Sequence, residues 1–351
     1  MAHPDLVKVW GKGRPGPEGD RRRYYEPAVE AFAEKGFTER QAGFLVTVML
    51  HSGVCVRRQY CVYARIAHGQ KDHDFFASLV AKKQATSYAA AHRRAHIYHV
   101  HSKPLYAAIG EPNNRNRKPV TLARAIERLM VLDTVLGERR LQWLGAERDK
   151  VEYFSTTTSL RLKELPHLVF GAGPEKTFRY FPDKLPIGIT GDGRTHVFLY
   201  LVNRKTPVDF RAFLHRHSEL LRALPEWELR LLVPRHLLEA APLFEQAARE
   251  ELGRPLQLDD VAELRWYFRQ QDQIDHGGAP EDFRRFRRAC RAFRAPRFNG
   301  LYRVWKKNGD RPLDATVSPV LEDKIARRRG HVTSEALVHL YAHLSPLVGS
   351  A

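Results

Sequence analysis

The chain is 351 residues long and strongly basic, with 58 Lys and Arg against 40 Asp and Glu, a formal charge of +18 at pH 7. Its hydrophobic fraction of 43% supplies real cores and excludes global disorder, and no 18-residue apolar run is present to enter a bilayer. A positive excess this large calls for a polyanionic partner. Nucleic acid is the usual one, because each phosphate neutralised releases condensed counterions.

The first segment, residues 1–24, is rich in Gly, Pro and charge and reads as a flexible basic arm. It lacks the apolar core of a signal peptide. Cys55, Cys61 and Cys290 form no CxxC pair, which leaves no disulfide framework and no four-thiolate zinc site. Cys55 and Cys61 read as small buried residues in a reducing compartment. The expectation is a cytoplasmic, nucleoid-associated protein with no metal and no cofactor, since no Walker loop, dinucleotide fingerprint or GxSxG elbow occurs.

Residues 25–148 read as a DNA-binding domain with a supporting helix. PAVEAFAEKG predicts a short helix with Pro27 early and Gly36 at its end. Thr38 with Gln41 has the form of a capping box opening a helix that Gly53 closes. VCV and RRQYCVYARIAHG predict a second helix ending near Gly69, and Lys71–Lys83 a third, with Phe75, Phe76, Leu79 and Val80 on one face. ATSYAAAHRRAHIYHVH then predicts two short strands around a basic turn. Three helices followed by a ribbon is the order of a winged helix-turn-helix, whose third helix offers its polar face to the major groove. Here that face includes Gln70, Lys71, His73, Lys82 and Lys83, and the wing tip is His92-Arg93-Arg94. The alternative is a small helical bundle with a solvated charged face. Pro112–Pro119, carrying Arg115, Arg117 and Lys118, is either a phosphate contact or a solvated connector; a helix from Thr121 to about Leu136 follows.

Residues 149–257 alternate strand and helix: KTFRYFPDKLPIGI and THVFLYLV as strands, 208–223 as a helix, WELRLLVP as a buried strand, then RHLLEAAPLFEQAAREEL as a helix. This pattern implies a small mixed-sheet α/β domain. Residues 258–351 read as a basic helical region with a less regular tail. Within it Phe283, Phe286, Ala289, Ala292 and Phe293 form one stripe, leaving Arg284, Arg285, Arg287, Arg288, Arg291 and Arg294 on the other face. Lys306 and Lys307 continue the charge, with Tyr302 and Trp305 interleaved. Guanidinium forks suit phosphate oxygens and aromatic rings suit exposed bases. The alternative is a core helix with a solvated basic face.

Between Phe37 and Leu136, TERQAGFLVTVMLHSGVCVRRQY, the ribbon ending in Leu105-Tyr106, and ARAIERLMVLDTVL resemble the replication-relaxation family of plasmid, phage and mobile-element proteins. The resemblance implies a winged helix joined to a domain like the PD-(D/E)XK nuclease fold. It also implies sequence-specific binding of double-stranded DNA as an accessory factor for recombination, replication or transcription control. A recombinase or replication enzyme is the implied protein partner, and a two-fold operator would call for a homodimer.

Two catalytic alternatives can be tested by residue. A PD-(D/E)XK site needs an Asp on one strand and acid-x-Lys on the next to hold a divalent metal. Pro182-Asp183 is suitably placed, but Asn203-Arg204-Lys205 has Asn where the second acid belongs, which predicts a nuclease-like fold without activity. A relaxase-like reading uses His99 and His101 as metal ligands, with Tyr24, Tyr25, Tyr98 or Tyr106 as nucleophile. With 17 histidines a His-x-His match arises by chance, and His215-Arg216-His217 is another. A third class is an adaptor whose charge faces an acidic partner protein.

Overall fold

The computed structural model describes residues 26–89, 95–171 and 176–341. The arm, with Tyr24 and Tyr25, and the expected wing tip His92-Arg93-Arg94 therefore lie outside the described residues. The fold is mixed α+β, and no described helix is long and apolar enough to cross a membrane.

The chain begins with α1 (Glu26–Ala33), α2 (Glu39–His51), β1 (Val54–Cys55), α3 (Arg57–Ala64) and α4 (Gln70–Ala81). A hairpin of β2 (Ala85–Ala89) and β3 (His96–Val100) follows, then α5 (Lys103–Ala108). The capping box is formed: Gln41 N–H donates to Thr38 Oγ1 at 3.3 Å, and Thr38 N–H donates to Gln41 Oε1 at 3.0 Å. β1, which the sequence pattern did not predict, pairs antiparallel with β3, giving a three-stranded sheet in the order β1-β3-β2. The second helix stops at Ala64, short of Gly69, because Arg65 enters the left-handed region at φ 53°. Phe44, Tyr60, Phe75, Phe76 and Tyr98 stack into one aromatic core, with Tyr60 and Phe75 centroids 4.5 Å apart.

α6 (Leu122–Gly137) is a shared wall. Ala125, Ile126, Leu129 and Met130 pack between Val54, Val56 and Ile97 of the first unit and Val197, Leu199, Leu201 and Leu232 of a second sheet. That sheet contains β4 (Gln142–Leu144), β7 (Ile187–Ile189), β8 (Thr195–Leu201), β9 (Glu226–Val233) and β10 (Gly330–Ala336), in the order β10-β9-β8-β7-β4. β4, β7 and β8 run antiparallel; β8, β9 and β10 run parallel. Alternation places Val197, Leu199 and Leu201 toward α6, while Phe198 and Tyr200 face α8 (Val208–Ala223) and α9 (Ala241–Leu252). Both faces are covered, hence the continuous apolar run in β8.

The strand expected over KTFRYFPDKLPIGI is two strands. β6 (Thr177–Tyr180) pairs with β5 (His167–Phe170) in a separate ribbon, whereas β7 belongs to the large sheet. Phe181 and Lys184, at φ 44° and 58°, turn the chain between them, beside Pro182 and Pro186. α7 (Glu147–Thr157) lies between β4 and β5.

Between α9 and β10 come α10 (Leu258–Asp275), α11 (Phe283–Ala292), α12 (Pro296–Asn308), α13 (Arg311–Ala315) and α14 (Val320–Ala326). Val261, Leu264, Phe268, Ala289, Phe293, Leu301 and Leu313 give this excursion a core of its own. The tail expected to be irregular supplies β10, so the large sheet draws strands from both sides of the 149–257 segment. Gly330 is required there: a Cβ would sit 2.3 Å from the buried Trp227 ring across the β9–β10 pair. Beyond β10, Tyr341 Oη meets Asp133 (2.6 Å), Arg58 (2.6 Å) and Gln59 (2.9 Å), tying the chain back onto α6 and α3.

Candidate nucleic-acid interface

α4 buries Phe75, Phe76 and Leu79 and exposes Gln70, Lys71, His73 and Asp74 on the opposite side. Gln70 Nε2 donates to Asp74 Oδ1 at 2.6 Å, and His73 Nδ1 lies 3.5 Å from the same carboxylate. Lys82 and Lys83 follow the helix and are exposed. The α3–α4 elbow is fixed by Asp72, whose side chain is fully buried. It accepts from Arg57 Nε on Oδ2 (2.7 Å) and from the Gly69 N–H on Oδ1 (2.6 Å). Burial alone would raise the Asp72 pKa, but hydrogen bonds from Arg57, Gly69 and His68 outweigh it and hold the carboxyl well below its usual range.

The loop before α6 is a plug more than a free connector. Asn116 Nδ2 donates to Met49 O and Leu50 O at 3.0 and 3.2 Å, and its carbonyl receives His99 Nε2 at 2.9 Å. The Asn116 backbone crosses so close to Gly53 (φ 76°) that a Cβ there would lie 2.4 Å from its oxygen. Arg117 is consumed locally, donating to His101 O (3.2 Å) and Pro112 O. Lys118 is exposed and Arg115 half-buried.

His99 and His101 have rings 5.7 Å apart, but each has a partner: Asn116 O for His99 and Thr86 Oγ1 (2.9 Å) for His101. Burial pushes the His99 pKa down. Tyr98 and Tyr106, candidates for a nucleophile, are buried in the aromatic core.

Asp183 lies in the turn before β7, where Arg216 of α8 donates to both its oxygens at 2.7 and 3.3 Å. Lys205 is exposed in the loop after β8, and Asn203 Nδ2 donates to Glu127 of α6 at 3.1 Å. Next to Asp183 is a cavity of ≈ 10 Å³ lined by Phe181, Leu185, Phe198 and His217, room for about one water. The sequence pattern missed Lys150, which is fully buried and donates to Leu185 O at 2.8 Å. Burial lowers its pKa to about 8 against the pull of Asp149, Asp183 and Glu147.

Arg284, Arg287, Arg288 and Arg291 of α11, and Arg294 just beyond it, are exposed, and no ion pair holds them among the described residues. The expected apolar stripe is incomplete, because Phe283 and Ala292 are exposed too. Arg285 is different: it forks onto Glu263 (2.5 and 3.1 Å) and stacks 4.0 Å over Trp266. Lys306 is likewise engaged by Asp272 (3.2 Å) and Asp275 (3.1 Å), while Lys307 is exposed. Tyr302 and Trp305 pack against Phe268 and bond to Asp275 and Asp310, so they serve the local core.

Comparison with protein-family models, with curated proteins and with solved structures finds no match to this chain.

Proposed function

We propose that the protein binds double-stranded DNA in a sequence-specific manner, with α4 in the major groove and the exposed arginines of α11 on phosphates. The observation that carries this reading is α4 itself. Phe75, Phe76 and Leu79 of its apolar face are used in the core, although Val80, expected on that face, is exposed. Gln70, Lys71 and His73 face outward just after the elbow that Arg57 and Asp72 fix. The order α2-β1-α3-α4-β2-β3, with its antiparallel sheet β1-β3-β2, resembles a winged helix-turn-helix.

The second sheet supports an accessory role over a catalytic one. The meander β4-β7-β8 followed by the α8 crossover to parallel β9 resembles the PD-(D/E)XK core. Asp183 is neutralised by Arg216, and Asn203 stands where the second carboxylate belongs. A lone, ion-paired carboxylate holds a hard cation poorly against its hydration. We therefore read the protein as a DNA-binding factor of a mobile genetic element, serving a recombinase, a replication enzyme or a promoter.

A selection for bound duplexes, followed by anisotropy titrations, tests this reading. The expected result is a preferred site whose affinity falls steeply with salt. Equal affinity for every duplex would remove the specificity, and plasmid nicking abolished by Asp183→Ala would make the second sheet catalytic.

A further inference from the structure

We propose that Cys61, His68 and Asp72 form a binding site for a thiophilic divalent transition metal of the zinc type, placed at the elbow between α3 and α4. The three come from successive pieces of that elbow: the end of α3, the connecting turn and the first turn of α4. His68 Nδ1 lies 3.4 Å from Cys61 Sγ and 3.3 Å from Asp72 Oδ2, and all three donor atoms fall within 4.8 Å of one another. Ligands on a tetrahedral zinc, with bonds of roughly 2.0–2.3 Å, sit roughly 3.3–3.6 Å apart. Little movement is needed to accept an ion.

The pattern of contacts argues against a nucleophile relay. A nucleophile relay would place the thiol on one imidazole nitrogen and the carboxylate on the other; here both neighbours converge on Nδ1. Without an ion, one Nδ1–H shared between Asp72 Oδ2 and Cys61 Sγ holds the three groups together, and a cation would take the place of that proton. Three lone-pair-bearing atoms pointed at one place are what a cation satisfies. Among the described residues this is the one group of three or more Cys, His, Asp or Glu side chains so arranged.

The surroundings suit an open, asymmetric site. Asp72 is fixed by Gly69 N–H on Oδ1, leaving Oδ2 shared between the site and Arg57, whose charge orients it from the other side. The His68 side chain is 58% exposed, giving a path for entry and room for water as fourth ligand. A thiolate-imidazole-carboxylate set favours zinc or cobalt over magnesium or calcium. On binding, the Cys61 S–H bond is replaced by sulfur–metal ligation and its proton goes to solvent, so affinity weakens as pH falls. Any effect on how α4 is presented to DNA rests on the functional reading above; the metal site does not.

Co²⁺ titration of the full chain, followed by absorption, tests the assignment. The expected result is a sulfur-to-cobalt charge-transfer band saturating at one equivalent and bleached by Zn²⁺. It should vanish in Cys61→Ser and His68→Ala and persist in Cys290→Ser. His68 is largely exposed, so H68A should retain the wild-type circular dichroism and separate lost ligation from lost fold. Absence of the band, or its survival in both Cys61→Ser and His68→Ala, overturns the proposal. Duplex binding is titrated separately: cobalt uptake without it removes the DNA reading alone, and duplex binding without cobalt uptake removes this inference alone.

Discussion

Glu251 is 1% exposed and faces two guanidinium groups, Arg211 of α8 and Arg297 of α12 (3.6 Å), and the ring of His215 (3.1 Å). Glu251→Ala removes the carboxylate beside the buried Arg297 and leaves Arg211 with Glu250 alone. The expected loss is about 3–5 kcal/mol, measured by urea unfolding. Lys150 makes a pH prediction. Its pKa is about 8 in the fold against 10.5 for the free side chain. Between those values the unfolded chain carries a proton that the native one lacks, so stability climbs as pH rises from about 8 toward 10.5. Below about pH 8 both states are charged and the penalty is complete, on the order of 3 kcal/mol. Lys150→Met should flatten that climb; an unchanged pH profile would refute the assignment. Neither residue was legible in the sequence. Each is a charged residue on an otherwise ordinary helix, and only the tertiary neighbours reveal that it is buried. The same holds for Arg285 and Lys306, which look like free cations until Glu263, Asp272 and Asp275 are brought to them. Cys61, His68 and Asp72 needed the elbow to close.

Helices with strong periodicity were the most readable elements. The span 208–223 was predicted from its apolar spacing, and the capping box at Thr38 announced the start of α2. Thr38→Ala should cost about 1 kcal/mol, read as a lower thermal midpoint. The break between β6 and β7 is hidden because both halves are rich in β-branched and aromatic residues that favour strands. What separates them is partner choice: β5 for one, β4 and β8 for the other. The proposed DNA reading makes its prediction at this scale on α4. Gln70→Ala or Lys71→Ala should cost about 1–3 kcal/mol at the preferred site and relax selectivity at one base position. Loss spread evenly over all duplexes would instead mark these residues as phosphate contacts.

Across the whole molecule, the charge of +18 was the clearest signal in the sequence, and the domain borders were the least clear. A boundary near 148 cuts β4 from the sheet it edges, and one near 258 hides that β10 returns to β9. Local patterns cannot show such returns, because the pairing partners are distant in the chain. If α11 grips phosphate, replacing Arg284, Arg287, Arg288 and Arg291 with Gln should flatten the plot of log affinity against log salt. The expected change in slope is about 0.9 for each phosphate no longer neutralised. Circular dichroism should be unchanged, since these side chains are exposed.

The late return of β10 also bears on synthesis. β9 ends at Val233 and its parallel neighbour begins at Gly330. At roughly 5–20 residues per second, a ribosome takes roughly 5–20 s to make that interval. During those seconds one flank of β9 has no native neighbour, the kind of open edge at which nascent chains stick to one another. Chaperone demand should therefore peak late in translation and fall once Gly330 lies flat against Trp227.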